Sequence, residues 1–376
     1  MAVNNGELLM QYDAVIIGAG LAGCSAAIQM AATGVRVLLL EQSRYPVHKL
    51  CGEFLSVEVT AAFERLGILE SVQTAGASLI RRAYLTTQNG KSFHHSLPGT
   101  ALGLSRYKLD LILFERAAQM GAECRDGVTV KSVAGNLQAG FEVVTSQGTF
   151  TSRMVLGAYG KKSALSSQLA RSPFVAFKAH YTGVQTSDAI ELHAFDGGYC
   201  GLSAIESGRV NLCWIGHERI LQGNRSLPPV LYTNPVLADR LSTMQRIPES
   251  LHGLSQISLA IKPKFQQDIC QIGDTAGMIM PLCGDGMAMA LRSTELAVPL
   301  ALAFLDGKLS APKFKHDYQV AWNREFWLRL RVGKLMHDAF IYPSVADWGV
   351  DLCDRLPAVG AWIVQATRGR ATLTLD

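Results

Sequence analysis

The chain has 376 residues, of which 48% are hydrophobic and 18% are charged. This composition supports a sizeable core in one large domain or two closely joined ones, and it excludes a wholly disordered chain. The formal net charge of +4 is slight, and no block of like charges or basic–aromatic interleaving occurs, so nucleic acid is not an expected partner.

The N-terminal residues and the cysteines bear on location and on metals. The stretch MAVNNGELLMQYD lacks the basic and apolar regions of a secretory signal. The apolar residues 14–40 are interrupted by polar side chains and four glycines, so we expect no transmembrane segment. The 8 cysteines show no CxxC spacing, which predicts no metal site and no redox dithiol. We therefore expect reduced thiols in a cytoplasmic protein.

The first predicted elements are a strand, a glycine turn, a helix and a second strand, in YDAVIIGAGLAGCSAAIQMAATGVRVLLLE at residues 12–41. Gly18 allows a tight turn, Gly20 lets the backbone approach a pyrophosphate, and Gly23 lets helix and strand pack closely. Leu21 and Ala22 begin the helix, whose N-terminus attracts phosphate.

Glu41 ends the second strand, where a carboxylate can accept both hydroxyls of an adenosine ribose, and Gln42 follows it. A glycine turn that binds nothing is the alternative. Because strand, helix, second strand and terminal acid are all in place, we expect a dinucleotide with a free 2′-hydroxyl, either FAD or NAD.

The stretch HKLCGEFLS, residues 48–56, places Cys51 before a Gly-Glu pair. Taken alone, it has an ordinary interpretation: Cys51 is a small buried hydrophobe, and Glu53 caps the helix predicted for SVEVTAAFERLG.

The middle of the chain alternates between sheet and helix signals. RRAYLTTQNGKSFHHSL has an Asn-Gly between two runs, which predicts a hairpin. LGLSRYKLDLILFERAAQMGAE predicts a short strand, Arg106, and an amphipathic helix. Strand-like runs separated by Gly-Gly and Ser-Gly turns make up AIELHAFDGGYCGLSAIESGRVNLCWIGH, which indicates an antiparallel sheet.

A second glycine-rich segment, CQIGDTAGMIMPLCGDGMAMALRS, follows at residues 270–293. It reads as a strand, then Gly273-Asp274, then Pro281, and then a helix opened by Gly284-Asp285-Gly286. From about residue 288 the chain is predicted to be helical. Trp322, Phe326, Trp327 and Leu330 lie at helical spacing, which indicates core packing or a pocket lid.

Together, the N-terminal glycine turn and the Gly273-Asp274 segment resemble the flavoprotein superfamily that includes aromatic hydroxylases, flavin halogenases and geranylgeranyl reductases. The resemblance implies FAD as the cofactor and an α/β fold with a Rossmann-like FAD-binding domain. This domain would comprise residues 1–78, 105–171 and 263–305. Residues 79–104 and 172–262 would form an interleaved antiparallel β-sheet that binds substrate, and residues 306–376 would form C-terminal helices.

The resemblance also implies roles for individual residues. Asp274 would hold the ribityl chain, and the helix start at residues 284–287 would direct N–H groups at the flavin N1–C2=O edge. Arg106 would reach the FAD. The expected cofactor-binding residues are Gly18, Gly20, Leu21, Ala22, Gly23, Glu41, Gln42, Lys49, Cys51, Gly52, Arg106, Val130, Gly273, Asp274, Pro281, Gly284, Asp285, Gly286 and Met287.

Cys-Gly-Glu at residues 51–53 is most similar to the geranylgeranyl reductase-like branch, in which this connection lies over the isoalloxazine. Gly52 would permit close approach, Cys51 would contact the flavin or transfer a proton as the candidate catalytic residue, and His48 or Lys49 would cover the phosphates.

Other features separate the chain from relatives with different chemistry. Tyr159-Gly160 replaces the Asp-Gly of many hydroxylases, and Gly277 stands where many of them have histidine. Neither the Trp-x-Trp-x-Ile-Pro of tryptophan-type halogenases nor a second GxGxxG is present in the sequence. These features favour a reductase.

We therefore predict an FAD-dependent oxidoreductase that reduces a carbon–carbon double bond by hydride transfer from flavin N5. The alternatives are a monooxygenase that uses NAD(P)H and O2, and an inert flavin-stabilised interaction protein. NAD(P)H or another electron donor would reduce the flavin.

The substrate is expected to be apolar. Tyr199 and Cys200 are predicted to line a pocket in front of the flavin, although core packing would explain them equally well. The aromatic residues of these segments indicate an isoprenoid, a polyketide-like chain or an aromatic metabolite. They are Phe195, Tyr199, Trp214, Trp322 and Trp327.

Overall fold

The computed structural model of the chain describes residues 11–160, 165, 172–184, 187–221, 227–255, 257 and 262–367. The beginning of the predicted unit 1–78, the predicted boundary at 171 and the end of the unit 306–376 therefore lie outside the described residues.

The strands and helices are numbered in chain order. The strands are β1 (Tyr12–Ile17), β2 (Val37–Leu40), β3 (Phe54–Leu55), β4 (Ser78–Thr86), β5 (Ser92–Gly103), β6 (Glu123–Arg125), β7 (Val130–Asn136), β8 (Gly140–Thr145), β9 (Gly148–Gly157), β10 (Phe174–Thr182), β11 (Ala189–Phe195), β12 (Gly198–Ile205), β13 (Arg209–His217), β14 (Gln245–Arg246), β15 (His252–Ser255), β16 (Phe265–Gln266) and β17 (Ile269–Gln271). The helices are α1 (Leu21–Ala31), α2 (Val59–Leu66), α3 (Leu69–Thr74), α4 (Arg106–Gln119), α5 (Pro235–Thr243), α6 (Gly286–Leu305), α7 (Ala311–Phe340), α8 (Pro343–Arg355) and α9 (Pro357–Thr367).

The first sheet is mostly parallel and carries the predicted strand–helix–strand unit at its centre. β1 lies between β2 and β9 and is parallel to both, and β6 and β17 extend the sheet on either side. Every residue of β2 is buried, as expected for a parallel strand covered on both faces. β7 and β8 form a hairpin that joins the sheet through β9.

Helices α1, α4 and α6 cover this sheet and close its core. Helix α1 is almost wholly buried and packs against α4 and α6. In the described part of the chain, α6 is the one helix long and apolar enough to cross a membrane by length and composition alone. It packs between α1 and α7, and 50% of its most apolar stretch is buried, as in a core helix.

The second sheet has the order β14-β10-β13-β12-β11-β4-β5-β3, with β15 also beside β10. The Asn-Gly hairpin prediction is confirmed, because β4 and β5 pair antiparallel. The expectation of a wholly antiparallel sheet needs one correction. The β4–β5 hairpin and the strands after residue 172 are far apart in the sequence, so no tight turn joins β4 to β11. These two strands pair in parallel.

The chain crosses between the two sheets just after Cys51. β3, within the stretch assigned to the FAD-binding unit, pairs instead with β5 at the edge of the second sheet. Helices α7, α8 and α9 pack on one another, and α8 also packs against β5. A Cβ at Gly360 would lie 2.7 Å from the Phe93 ring, so glycine there allows α9 to approach the second sheet.

Candidate functional site

The turn after β1 depends on two glycines. Gly18 has a φ of +99°, and a Cβ there would lie 2.5 Å from the carbonyl oxygen of Ala158. A Cβ at Gly23 would lie 1.8 Å from the carbonyl oxygen of Gly18. Both positions therefore require glycine, and α1 starts directly against the end of β1.

The N-terminus of α1 borders an open space. At Gly20, the nearest atom to an added Cβ would be Arg106 Nη2, at 3.4 Å. Gly20, Leu21 and Ala22 line a large cavity. Because the first N–H groups of a helix have no intrahelical partner, this cradle fits a pyrophosphate.

Glu41 lies at the end of β2 with its carboxylate fixed by backbone groups. Its Oε2 accepts the N–H of Ala19 at 3.1 Å, and its Oε1 accepts the N–H of Ser43 at 3.0 Å. The side chain is only 6% exposed. Oε2 also accepts Lys49 Nζ at 3.2 Å, whereas Oε1 keeps one acceptor site for a ribose hydroxyl.

The other residues expected around the adenosine lie close to Glu41. Gln42 follows it with an exposed side chain. The N–H of Val128 donates to the Glu41 carbonyl oxygen at 2.8 Å, which brings the start of β7, at half-buried Val130, to the same region.

A buried acid organises the basic residues between this region and the cavity. Lys49 Nζ lies 3.2 Å from Glu41 Oε2 and 3.3 Å from Asp110 Oδ2. Arg106 Nη2 donates to Asp110 Oδ2 at 2.7 Å, and Arg106 also lines the cavity. Asp110 was not among the residues expected from the sequence. Its position between Leu109 and Leu113, on the apolar face of α4, was the available signal.

The Cys51–Glu53 turn forms one wall of the cavity. Cys51, Gly52 and Glu53 all line it. Asn211 Nδ2 donates to the carbonyl oxygen of Cys51 at 3.0 Å, and the N–H of Glu53 donates to Cys51 Sγ at 3.4 Å. A Cβ at Gly52 would meet no atom within 4 Å, so this position faces space that a ring could fill.

Glu53 does not cap the following helix, because α2 begins at Val59, after Glu58. Instead, Glu53 is fully buried with a φ of +55°, and its carboxylate receives Lys178 Nζ. The carboxylate also lies 2.6 Å from His180 Nε2. Burial raises the pKa of Glu53, but Lys178 and His180 outweigh it and hold the pKa below its usual value.

This triad, Glu53–Lys178–His180, joins the turn to the second sheet and to α4. The Arg106 N–H donates to Glu53 Oε1 at 2.8 Å. Lys178 and His180 were not among the residues expected from the sequence. They are two polar residues spaced two apart in the otherwise apolar β10, and residues with this spacing share one face of a strand. That spacing was the available sign of a shared polar site.

His48 belongs to an aromatic cluster next to the triad. Its ring lies 4.7 Å from that of Tyr107, 5.0 Å from that of His180 and 5.6 Å from that of His252, between centroids. Burial and the charge of Lys178 lower the pKa of His48 to about 4. Of the two residues expected over the phosphates, Lys49 therefore lies beside Glu41, whereas His48 packs against the triad.

The Gly273-Asp274 segment packs on the start of α1. Gly273 has a φ of +60°, and its N–H donates to Ser293 Oγ at 2.8 Å. Asp274 lines the cavity. The N–H of Gly160 donates to Thr275 Oγ1 at 2.7 Å, which joins the turn after β9 to this segment.

Packing accounts for Tyr159 and Gly277. Tyr159 is half-buried, and its ring lies 2.8 Å from where a Cβ of Gly157 would be. A Cβ at Gly277 would lie 2.9 Å from the Trp322 ring. Glycine at 277 thus makes room for Trp322, which weakens its use as a sign of reductase chemistry.

The start of α6 forms the cavity wall opposite the Cys51 turn. Pro281, Gly284, Gly286 and Met287 line the cavity, as expected for backbone groups that face a flavin. The Asp285 side chain, in contrast, is fully buried and accepts Ser56 Oγ at 3.2 Å and Arg329 Nη1 at 3.4 Å. Its carboxylate therefore anchors α7, and the role expected for residue 285 through its backbone N–H stays a prediction.

The cavity has a volume of about 640 Å³ and extends from the glycine turn to the C-terminal helices. Its distal walls are apolar. They include Leu85, Leu97, Ile190 and Leu192 of the second sheet and Met336, Phe340 and Val350 of α7 and α8.

The residues expected to contact substrate divide between the two faces of the second sheet. Tyr199 lines the cavity, and its hydroxyl accepts the N–H of Leu282 at 2.8 Å. Cys200, the next residue, lies in a buried cluster on the opposite face with Phe195, because side chains alternate along a strand. The expectation for Cys200 is wrong.

The two α7 tryptophans also separate. Trp322 is buried, with Lys264 Nζ 3.4 Å from its ring centroid, and Phe326 packs beside it. Trp327 is 52% exposed, under the guanidinium of Arg331. Neither tryptophan of α7 lines the cavity. Of the five aromatic residues expected at the pocket, Tyr199 and Trp214 line it.

Comparisons with known proteins agree with this geometry. Residues 11–197 match the family model described as FAD binding domain. The chain is 26% identical over 347 residues to digeranylgeranylglycerophospholipid reductase 2 of Methanopyrus kandleri, covering 84% of this chain and 83% of that protein. It is 23% identical over 391 residues to conditioned medium factor receptor 1 of Dictyostelium discoideum, covering 92% and 74%.

Solved structures share the fold. The flavin-dependent brominase Bmp2 superposes with a TM-score of 0.80 at 18% identity, covering 95% of this chain and 93% of that one. A geranylgeranyl bacteriochlorophyll reductase-like protein of Thermoplasma acidophilum superposes with a TM-score of 0.75 at 18% identity, covering 97% and 94%.

The expected fold class and cofactor are thereby confirmed. The protein is an FAD-dependent oxidoreductase whose residues 11–197 match an FAD binding domain and whose sequence is similar to digeranylgeranylglycerophospholipid reductases.

Proposed function

We propose that the protein reduces a carbon–carbon double bond of an apolar small molecule, with electrons from NAD(P)H or another donor. The observation that carries the proposal is the cavity of about 640 Å³. One end is formed by Gly20, Gly52 and Gly286, and the rest is walled mainly by apolar side chains. Such a space suits an isoprenoid or another extended apolar molecule better than a sugar or a phosphate-rich one.

In this proposal the residues near the glycine turn bind and orient the cofactor. FAD, when bound, supplies the hydride. The N-terminus of α1 holds the pyrophosphate, with Arg106 and Lys49 beside it. Glu41 accepts a ribose hydroxyl, and the backbone at the start of α6 supports negative charge on the ring.

The Cys51–Glu53 turn faces the reacting end of the substrate. Cys51 Sγ is the candidate donor of the proton that completes the reduction, and Gly52 leaves room for the ring. Because the triad fixes Glu53, the position of this turn depends on Lys178 and His180. The name of the Methanopyrus kandleri relative, a reductase, supports the same reaction class.

Anaerobic turnover tests the proposal. Reduced holoprotein is mixed without oxygen with a geranylgeranyl lipid, a conjugated polyene or a phenol, and flavin reoxidation and product mass are followed. We expect the flavin to be reoxidised by the geranylgeranyl lipid or by the conjugated polyene. The product should gain two hydrogens for each double bond that is reduced. Gly23→Val, which blocks the glycine turn, serves as the flavin-free control.

The competing reaction is monooxygenation, which is distinguished by its oxygen requirement. A product that forms only with O2 and carries its isotopic label would refute double-bond reduction. If the Cys51→Ser variant retains the full reduction rate, Cys51 is not the proton donor. That result would leave the proposed reaction class unchanged.

A further inference from the structure

The C-terminal helices carry a group of large apolar side chains that are exposed to solvent. We define it by six residues and call it the rim: Leu335, Tyr342, Val345, Trp348, Leu356 and Trp362. They are between 41% and 72% exposed. Within the described residues, most of the exposed large hydrophobic side chains lie on α7, α8 and α9 or at their junctions. Apolar patches of this kind mark an interaction site.

The rim surrounds the mouth of the cavity. Leu335, Val345, Trp348 and Trp362 line the cavity and are also exposed to solvent. A molecule that enters from this side therefore passes between apolar side chains on its way to the Cys51 turn.

The charges beside the rim are net positive. Arg331, one turn before Leu335, and Arg355, next to Leu356, are exposed, against Asp354. Lys334 and Asp338 pair with each other at 2.7 Å.

The remaining acids of α8 are turned toward the second sheet. Asp347 accepts bonds from Thr87 and Asn89, and Asp351 pairs with Lys91 at 3.1 Å. Helix α9 has no charged residue. Tryptophan and tyrosine with flanking arginine is the composition that favours a membrane interface.

We propose that the rim docks on a lipid surface, from which apolar molecules enter the cavity. A second copy or another protein seated on the rim would close the mouth, whereas fluid lipid leaves it open and supplies an apolar molecule directly. Docking itself is independent of the reaction, and only the entry of substrate by this path rests on the proposed function.

Vesicle flotation with the FAD-loaded full chain tests the docking. We expect the protein to float with vesicles of phosphatidylcholine and phosphatidylglycerol, and less so at high salt. Trp348→Ser combined with Trp362→Ser should lower the bound fraction by at least about tenfold. Leu79→Ser combined with Tyr232→Ser, two residues outside the rim that are 49% exposed, should not change it. Flavin absorbance checks that every variant is folded.

Three results would overturn the proposal. The first is no flotation with either anionic or zwitterionic vesicles. The second is a dimer in light scattering that the rim variant abolishes, since a second copy would then cover the rim. The third is docking that appears only in a chain shortened to end at Thr367, since the last residues would then be the occupant. If the wild-type protein shows the first result but still reduces a detergent-solubilised substrate, docking is refuted and the proposed function is not.

Discussion

Glu53 shows how one side chain can set the geometry of the site. It adopts a left-handed backbone conformation that is uncommon for a residue with a side chain, and its carboxylate holds Lys178, His180 and the N–H of Arg106. The buried acid thus ties together the cavity-lining turn, the start of α4 and the second sheet.

A matched pair of variants tests this role. Glu191 is also buried and ion-paired, to Arg240 at 3.0 Å and to His193 at 3.2 Å, and its neighbours Ile190 and Leu192 face the cavity instead. We expect Glu53→Gln to lower the free energy of unfolding by about 3 kcal/mol, because it leaves the buried Lys178 without an anionic partner. Glu191→Gln should lower it by less, because the side chain of its partner Arg240 is 29% exposed.

Glu53→Gln alone should also weaken FAD binding and shift the flavin absorption spectrum. Denaturant unfolding and FAD titration measure the two effects separately. Equal FAD affinity in the two variants would show that the triad only stabilises the fold.

His48 makes the stability of the protein depend on pH. Burial, followed by Lys178 and His180, lowers its pKa from 6.5 to about 4. Between these values the unfolded chain binds a proton that the folded protein does not, so the free energy of unfolding should fall as pH drops from 6.5 toward 4. His48→Gln should remove part of this slope, measured by urea unfolding across the window. The groups that act on His48 are Lys178, His180, Glu53 and His252.

If the free energy of unfolding of the His48→Gln variant depends on pH as that of the wild type does, His48 is not a source of the pH dependence. The comparison needs stability and not activity as the readout, because activity would also reflect titration of the flavin.

At the scale of elements, two glycines should respond differently to alanine. At Gly23, the new Cβ would lie 1.8 Å from the Gly18 carbonyl oxygen, so α1 must move from β1 and both stability and FAD binding should fall. At Gly52, the Cβ would meet no protein atom within 4 Å, so stability should be unchanged.

We expect Gly52→Ala to weaken FAD binding or turnover nonetheless, because its Cβ projects into the space proposed for the ring. Thermal unfolding of the apoproteins and FAD titration separate the two variants. Unchanged FAD affinity and turnover in Gly52→Ala would place the ring elsewhere in the cavity.

At the scale of the whole molecule, the two sheets should unfold together. The crossing at β3 and the triad connect them, and the cavity is walled by both. FAD at 100 times its dissociation constant should therefore stabilise the entire protein by about 2.7 kcal/mol. Flavin release and the fluorescence of tryptophan, which includes Trp214 in the second sheet, should report the same transition.

A second sheet that melts at one temperature with and without FAD would show that the two units are energetically independent.

The sequence by itself determined the elements that depend on local geometry. A GxGxxG turn, an Asn-Gly hairpin and a buried parallel strand each follow from the conformations of consecutive residues, so the glycine turn, the β4–β5 hairpin and the Gly273 segment could all be located. The resemblance carried by the glycine turn and the Gly273 segment indicated the cofactor.

Only the tertiary structure decided which side chains meet. Lys178 lies 125 residues from Glu53 and Arg329 lies 44 residues from Asp285. Alternation along β12 placed Tyr199 and Cys200 on opposite faces, but the helices that cover one face determined which of them lines the cavity. Such choices depend on burial by distant elements, and no local pattern records which distant element will supply the partner or the cover.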